Sequence, residues 1–151
     1  CFMPYKFAIT FENRWNDDGY WTEKLINGLY AHTIPIYFGY EHIGKLFNEK
    51  RFVHCKISRK LIDKIRSTDY KKENDGEVLY QIVRAIDGVE QQLQICVDRV
   101  FEIDDNDNLY EQMLLEPVFI NNDIDASVMS HKRHRQMFKA ALEEMQSHLL
   151  Y

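Results

Sequence analysis

Two short stretches of strand character with an amphipathic helical segment between them constrain this chain more than anything else in it. Tyr5-Lys6-Phe7-Ala8-Ile9-Thr10-Phe11 sets large apolar residues at alternate positions, the period of a β-strand. Thr33-Ile34-Pro35-Ile36-Tyr37-Phe38-Gly39 is the continuous apolar run of a strand buried on both faces. Pro35 cannot donate to a ladder, so it is expected near the start of that strand or at an irregularity. Between the two, Leu25 with Leu29 and Ile26 with Tyr30 form i,i+4 pairs, which predicts a helix from an N-cap at Thr22 to about Tyr30 with those residues buried. Strand, crossover helix and strand make a parallel pair joined in the right-handed sense.

The loop from Glu12 to Trp21 is polar and aromatic and ends at the N-terminus of that helix. In open α/β sheets, ligands bind outside the carboxyl ends of the strands. A helix N-terminus there presents unpaired N–H groups and a partial positive charge to an anion. Lys24 adds a full positive charge at the same place, which points to a pyrophosphate-bearing ligand such as a nucleotide sugar.

Beyond Gly39, a turn between Gly39 and Gly44 leads to a short helix at Lys45-Leu46-Phe47 and a third strand at Arg51-Phe52-Val53-His54-Cys55. The second half is helical. Ser58 can cap a helix carrying Leu61, Ile62 and Ile65, and Thr68 to Gly76 reads as an exposed loop. Val78, Leu79, Ile82, Val83 and Ile86 form a helical stripe ending at Gly88. Leu93, Cys96, Val97, Val100 and Phe101 form another, broken by Asp104 to Asn108. A helix over Leu109 to Leu115 and a last one over about Ser127 to Leu149, with Phe138, Ala141, Leu142, Met145 and Leu149 inward, complete the reading. The fold class is α/β, a small parallel sheet flanked by helices with a helical C-terminal part, in one domain spanning 1–151.

A chain of 151 residues, 45% apolar and 28% charged, can bury a real core. Its net charge of -5 argues against a general nucleic-acid or anionic-membrane binder. Cys1, Cys55 and Cys96 are odd in number and lack CxxC spacing, which reads as reduced, buried or incidental thiols rather than a disulfide framework or zinc site. No stretch approaches the ~20 apolar residues of a membrane span. The start at Cys1 has the look of a trimmed end, so the absence of a targeting signal says little about the full protein.

Tyr5-Lys6-Phe7, Phe11-Glu12-Asn13, Tyr20-x-Thr22-Glu23-Lys24-Leu25 and Ile34-Pro35-Ile36-Tyr37-x-Gly39, in that order, resemble the donor-binding signature of the α-1,3-fucosyltransferases, glycosyltransferase family 10. A weaker similarity continues through Phe47-Asn48-x-Lys50-x-Phe52 and Leu109-Tyr110-x-x-Met113. The resemblance implies a Rossmann-like parallel sheet flanked by helices, the C-terminal half of a GT-B glycosyltransferase. It implies an inverting transfer of fucose from GDP-fucose to a hydroxyl of a glycan acceptor, with no tightly bound cofactor and no divalent metal required. It also implies a Golgi-lumenal setting if the source is eukaryotic and a cytoplasmic one if bacterial. The acceptor site and the catalytic base would belong to an N-terminal domain absent from this chain, so no catalytic residue is assigned within it. The donor loop is about one residue longer than in most relatives, with Trp15 and Gly19 as unusual occupants.

On that resemblance, Lys24 contacts the diphosphate and Glu23 accepts from the ribose hydroxyls. Tyr20 packs on ribose or base. Asn13 orients the sugar or a phosphate, Glu12 binds fucose hydroxyls or stabilises the loop, and Thr22 caps the helix and can touch phosphate. Each has a bland counterpart in a solvated lysine, a first-turn glutamate, a core aromatic, or an Asx turn or cap. Asp17 and Asp18 are set aside as a base. Asp104 to Asn108 reads as a capped turn rather than a calcium loop, because the central Gly and twelfth-position Glu are missing. His131 to Arg135 reads as a solvated helix face, and His32, His42 and His54 lack metal-ligand spacing. A non-catalytic nucleotide-sugar-binding or scaffold domain, and a basic-helix interaction module, remain as alternatives.

Overall fold

The computed structural model describes residues 5–13, 19–67, 84–123 and Gln136. Expectations for Asp17 and Asp18, for the loop and stripe over 68–83, and for the basic cluster lie outside those residues. So does the last helix, apart from Gln136.

Three parallel strands form the sheet, in the order β1 (Phe7–Phe11), β2 (Ile34–Phe38) and β3 (Val53–His54). β1 and β3 are shorter than the sequence suggested. Pro35 does sit near a strand start, and the ladder explains why it is tolerated. Ile34 N–H and Phe38 C=O bond toward β1, whereas Tyr37 C=O accepts from Cys55 N–H on the β3 side. Alternate residues face alternate neighbours in a parallel strand, so Pro35 faces the β3 side. Pairing there begins only at Ile36 with Val53, and no ladder bond is lost.

One face of the sheet is covered by α1 (Glu23–Tyr30). Leu25 and Leu29 pack there with Tyr37, Ile43, Phe47 and Phe52. Each such side chain, when fully buried, contributes roughly 1.5–3 kcal/mol. Gly28 lets the helix lie close, since a Cβ there would meet Pro35 Cγ and Thr10 Cγ2 at 3.0 Å. The expected buried stripe is only half present. Ile26 is half-buried and Tyr30 is 86% exposed, because it falls on the last helical turn and points away from the sheet.

The opposite face packs on α3 (Val89–Asp104) and α4 (Asp107–Leu115), where Ile34, Val53, Cys55, Cys96, Ile103 and Met113 form a second core. The stripe expected on α3 holds at Cys96, which is buried, and Val100, which packs on this core, and is corrected at Leu93, Val97 and Phe101, which are exposed, while Ile103 joins the buried side. Asp104 to Asn108 is the capped turn anticipated. Asn106 Oδ1 accepts from Leu109 N–H at 3.1 Å, and Lys6 Nζ donates to Asp104 O at 3.0 Å and Asp107 Oδ1 at 3.1 Å. α2 (Arg59–Ser67) follows Ser58, and 3₁₀ turns at Ile43–Lys45 and Glu49–Arg51 link β2 to β3. Among the described residues, no helix is long and apolar enough to cross a membrane.

The reading of all three cysteines as unpaired thiols is also corrected. Cys55 and Cys96, 5.2 Å apart at Cα, form a disulfide that ties the end of β3 to the middle of α3. Two thiols this far apart in sequence are brought together only by the packing of α3 on the sheet.

Candidate functional site

The candidate site lies where β1 hands the chain to α1. Thr22 has the extended backbone of an N-cap, and its Oγ1 accepts from Lys24 N–H. Behind it stands Glu12, 7% exposed, one residue past the end of β1. Glu12 Oε1 accepts from Thr22 N–H at 2.8 Å, and Oε2 accepts from Thr22 Oγ1 at 2.7 Å. Both carboxylate oxygens are therefore engaged with the helix cap. Of the two roles expected for Glu12, stabilising the loop is the one its contacts match. Its own N–H donates to Phe38 O at 2.8 Å, so the cap is referenced to both β1 and β2.

Gly39 completes this support. A Cβ there would lie 2.5 Å from Glu12 Cγ and 2.7 Å from the Tyr37 hydroxyl. That hydroxyl accepts from Tyr40 N–H at 3.0 Å. Burial pushes the Tyr37 phenol up to about 12; the Tyr40 N–H pulls it down and the Glu12 charge adds to the rise. Trp21 is a packing residue, edge-on to Phe47 at 5.5 Å.

Lys24 folds back across the end of β1. Its Nζ donates to Phe11 O at 2.8 Å and to Asn13 Oδ1 at 2.7 Å. Both acceptors are neutral, and among the described residues no carboxylate pairs with the ammonium. A full positive charge thus sits beside the positive end of a helix, with no carboxylate of those residues paired to it directly. Glu23 is exposed in the first turn beside it, and Tyr20 is half-buried at the end of the loop. The structure brings Glu12, Asn13, Thr22, Glu23 and Lys24 together at one carboxyl corner of the sheet. Among the described residues, no three His, Cys, Asp or Glu side chains are grouped to hold a metal ion.

Residues 1–74 match the profile of the glycosyltransferase family 10 (fucosyltransferase) C-terminal region. The chain belongs to glycosyltransferase family 10. A candidate fucosyltransferase of Acanthamoeba polyphaga mimivirus is 32% identical over 123 residues, covering 81% of this chain and 15% of that protein. The α-(1,3)-fucosyltransferase of Helicobacter pylori is 40% identical over 80 residues, covering 51% of this chain and 16% of that protein. A crystal structure of an α1,3-fucosyltransferase with GDP superposes with a TM-score of 0.58 at 27% identity, covering 92% of this chain and 32% of that one. One with GDP-fucose gives 0.55 at 26% identity, covering 92% and 32%. The chain therefore spans about a sixth of its curated family 10 relatives and about a third of the solved ones.

Sequence reasoning missed a second polar group at the carboxyl end of the sheet, on the opposite edge strand β3. Glu49 Oε1 lies 2.7 Å from His54 Nδ1 and 3.0 Å from Lys56 Nζ. Lys56 follows His54 by two positions, which in extended chain puts both on one side and was the available signal.

Proposed function

We propose that this chain is the donor-binding domain of a fucosyltransferase that moves fucose from GDP-fucose to an acceptor-sugar hydroxyl on a glycan or polysaccharide, with inversion. The observation that carries the proposal is the Lys24 ammonium, held by two neutral oxygens at the N-terminus of α1. Fucose departs with a diphosphate leaving group on which negative charge builds. A preoriented cation and a helix N-terminus stabilise that charge most where it is greatest. Asn13 aims the ammonium, and we assign it to orient the sugar or a phosphate. Glu23, exposed beside Lys24, offers two acceptor oxygens to vicinal ribose hydroxyls. Tyr20 supplies a face for ribose or base, and Thr22 presents the helix N–H groups. Glu12 holds that assembly from behind.

Deprotonation of the acceptor hydroxyl falls to a base outside this chain, in an N-terminal domain that faces the donor across a cleft. The GDP and GDP-fucose bound by the solved relatives are consistent with this division of roles. Calorimetric titration with GDP-fucose, GDP-mannose and UDP-galactose tests the reading. Saturable binding of the GDP-sugars alone is expected. Lys24→Ala removes a charge-assisted contact of ~1.5–3 kcal/mol, a loss of roughly 10- to 150-fold in affinity. No binding at millimolar ligand, or a Lys24→Ala variant that binds as tightly as the parent, would overturn it.

A further inference from the structure

β3 ends at His54, whose side chain is 6% exposed and packs against the rings of both Tyr37 and Phe52, at 5.7 and 6.1 Å. Burial lowers the imidazole pKa, and the Glu49 hydrogen bond only partly opposes it, with Lys56 lowering and Glu41 raising it in smaller measure. Burial also disfavours ionised Glu49, but its bonds from His54 and Lys56 outweigh that and hold its carboxyl below the usual range. A neutral imidazole facing an ionised carboxylate at 2.7 Å donates from Nδ1 and keeps a lone pair on Nε2. Among the described residues Nε2 has no hydrogen-bond partner and no buried side-chain nitrogen or oxygen lacks one, so Nε2 is not sealed in the core.

His54 lines a cavity of about 350 Å³ at the carboxyl ends of β2 and β3, bounded also by Gly39, Glu41, Lys56, Ser58 and Gln92. It lies within the range of small-molecule sites, roughly 300–1,000 Å³. A groove of about 490 Å³ along the free edge of β3 shares His54, Lys56, Gln92 and Ile95 with it. The Cys55–Cys96 disulfide fixes the wall between them, with one cysteine lining each.

We propose that this cavity is a saccharide subsite in which His54 Nε2 accepts a hydrogen bond from a sugar hydroxyl. A bare acceptor calls for an O–H or N–H on the ligand. Glu41 adds carboxylate acceptors for a hydroxyl pair, and Lys56 adds a donor for a ring or hydroxyl oxygen. With Glu49 included, the charged groups around His54 sum to a negative excess, which disfavours a second phosphate and suits a neutral polyol. β3 lies two strand spacings from β1, about 10 Å, so a saccharide reaching from a diphosphate at Lys24 comes within range of His54. The inference rests on the donor-site reading above. The sugar hydroxyl can belong to the donor's own sugar or to the acceptor.

The test is titration of the chain and its His54→Phe variant with GDP, GDP-fucose and N-acetyllactosamine, the last with and without GDP. Phenylalanine keeps a ring against Tyr37 and Phe52 and removes the acceptor. GDP affinity is expected to stay within about twofold, while one saccharide increment falls roughly fivefold, the worth of one net hydrogen bond. Loss of the GDP-fucose advantage over GDP identifies the donor sugar, and loss of N-acetyllactosamine binding identifies the acceptor. The subsite is overturned if both increments survive in His54→Phe. It is also overturned if the parent chain shows neither, or if the variant loses GDP as much as saccharide. Failure of the parent chain to bind GDP at all sinks the donor-site reading instead, and N-acetyllactosamine alone then decides the subsite.

Discussion

Replacing Glu12 tests whether it acts as the anchor of the α1 cap or as a ligand group. Its two oxygens accept from Thr22 N–H at 2.8 Å and from Thr22 Oγ1 at 2.7 Å, and the residue is 7% exposed. Hydrogen bonds to a charged partner are worth ~1.5–3 kcal/mol each. A negative charge at a helix N-terminus adds ~0.3–1 kcal/mol. Glu12→Ala also leaves Thr22 N–H half-buried without its partner. The sum, discounted for relaxation and water entry, is about 3–5 kcal/mol, a large share of a stability of order 5–15 kcal/mol. Glu12→Gln keeps one acceptor for the N–H and offers its amide to the hydroxyl, so about 1–2 kcal/mol is expected. Urea denaturation gives both values, and calorimetry with GDP-fucose gives the second readout. Glu12→Gln, well below its midpoint, should bind the donor within a few-fold of the parent, because it preserves the cap that places Glu23 and Lys24. A Glu12→Gln variant as stable as the parent yet unable to bind GDP-fucose would refute the reasoning, since the carboxylate would then have to touch the ligand itself.

Three further outcomes follow from neighbouring contacts. Gly39→Ala drives a Cβ to 2.5 Å from Glu12 Cγ and should cost about 1–3 kcal/mol in denaturation while weakening donor binding through the displaced cap. Reduction of Cys55–Cys96 opens a loop spanning 41 positions. Chain entropy puts that at roughly 4 kcal/mol, so a fall of about 2–4 kcal/mol in unfolding free energy is expected on adding a thiol reductant, and none in a Cys55→Ala/Cys96→Ala variant. His54 and Glu49 both titrate below their ordinary values of 6.5 and 4.5 in the folded chain. Their stabilisation is thus present above those values and lost as pH falls through the lower folded ones, so the thermal midpoint should decline from about pH 6.5 downward, less steeply in His54→Phe.

The frame of the fold was legible because local pattern and long-range packing agree there. Period-two apolar spacing over Phe7 to Phe11, an N-cap at Thr22 and an apolar run over Ile34 to Phe38 each needed only their own neighbours to be read. Where a segment is apolar on more than one side, periodicity cannot select the buried side. α3 shows this with Leu93, Val97 and Phe101 exposed and Cys96 and Ile103 inside. The disulfide was illegible for a related reason. Spacing carries no information about a pair that only the docking of α3 on β3 brings within 5.2 Å.

The site divides along the same line. Residue types at the β1–α1 junction were enough to find the corner, but roles within it depend on which oxygens are already spent. Glu12 and Glu23 are both carboxylates beside one helix N-terminus and look interchangeable in sequence. In the fold Glu12 is buried with both oxygens committed to Thr22, while Glu23 is exposed in the first turn. The buried carboxylate can build the helix end, and the exposed one can meet a ribose. Lys24 is the converse case. An exposed lysine in sequence is a solvated charge by default, yet here two neutral oxygens hold its ammonium at the carboxyl end of β1. Such coordination orients a cation without neutralising it, and on the proposed donor-site reading a diphosphate would meet a charge not already paired with a protein carboxylate.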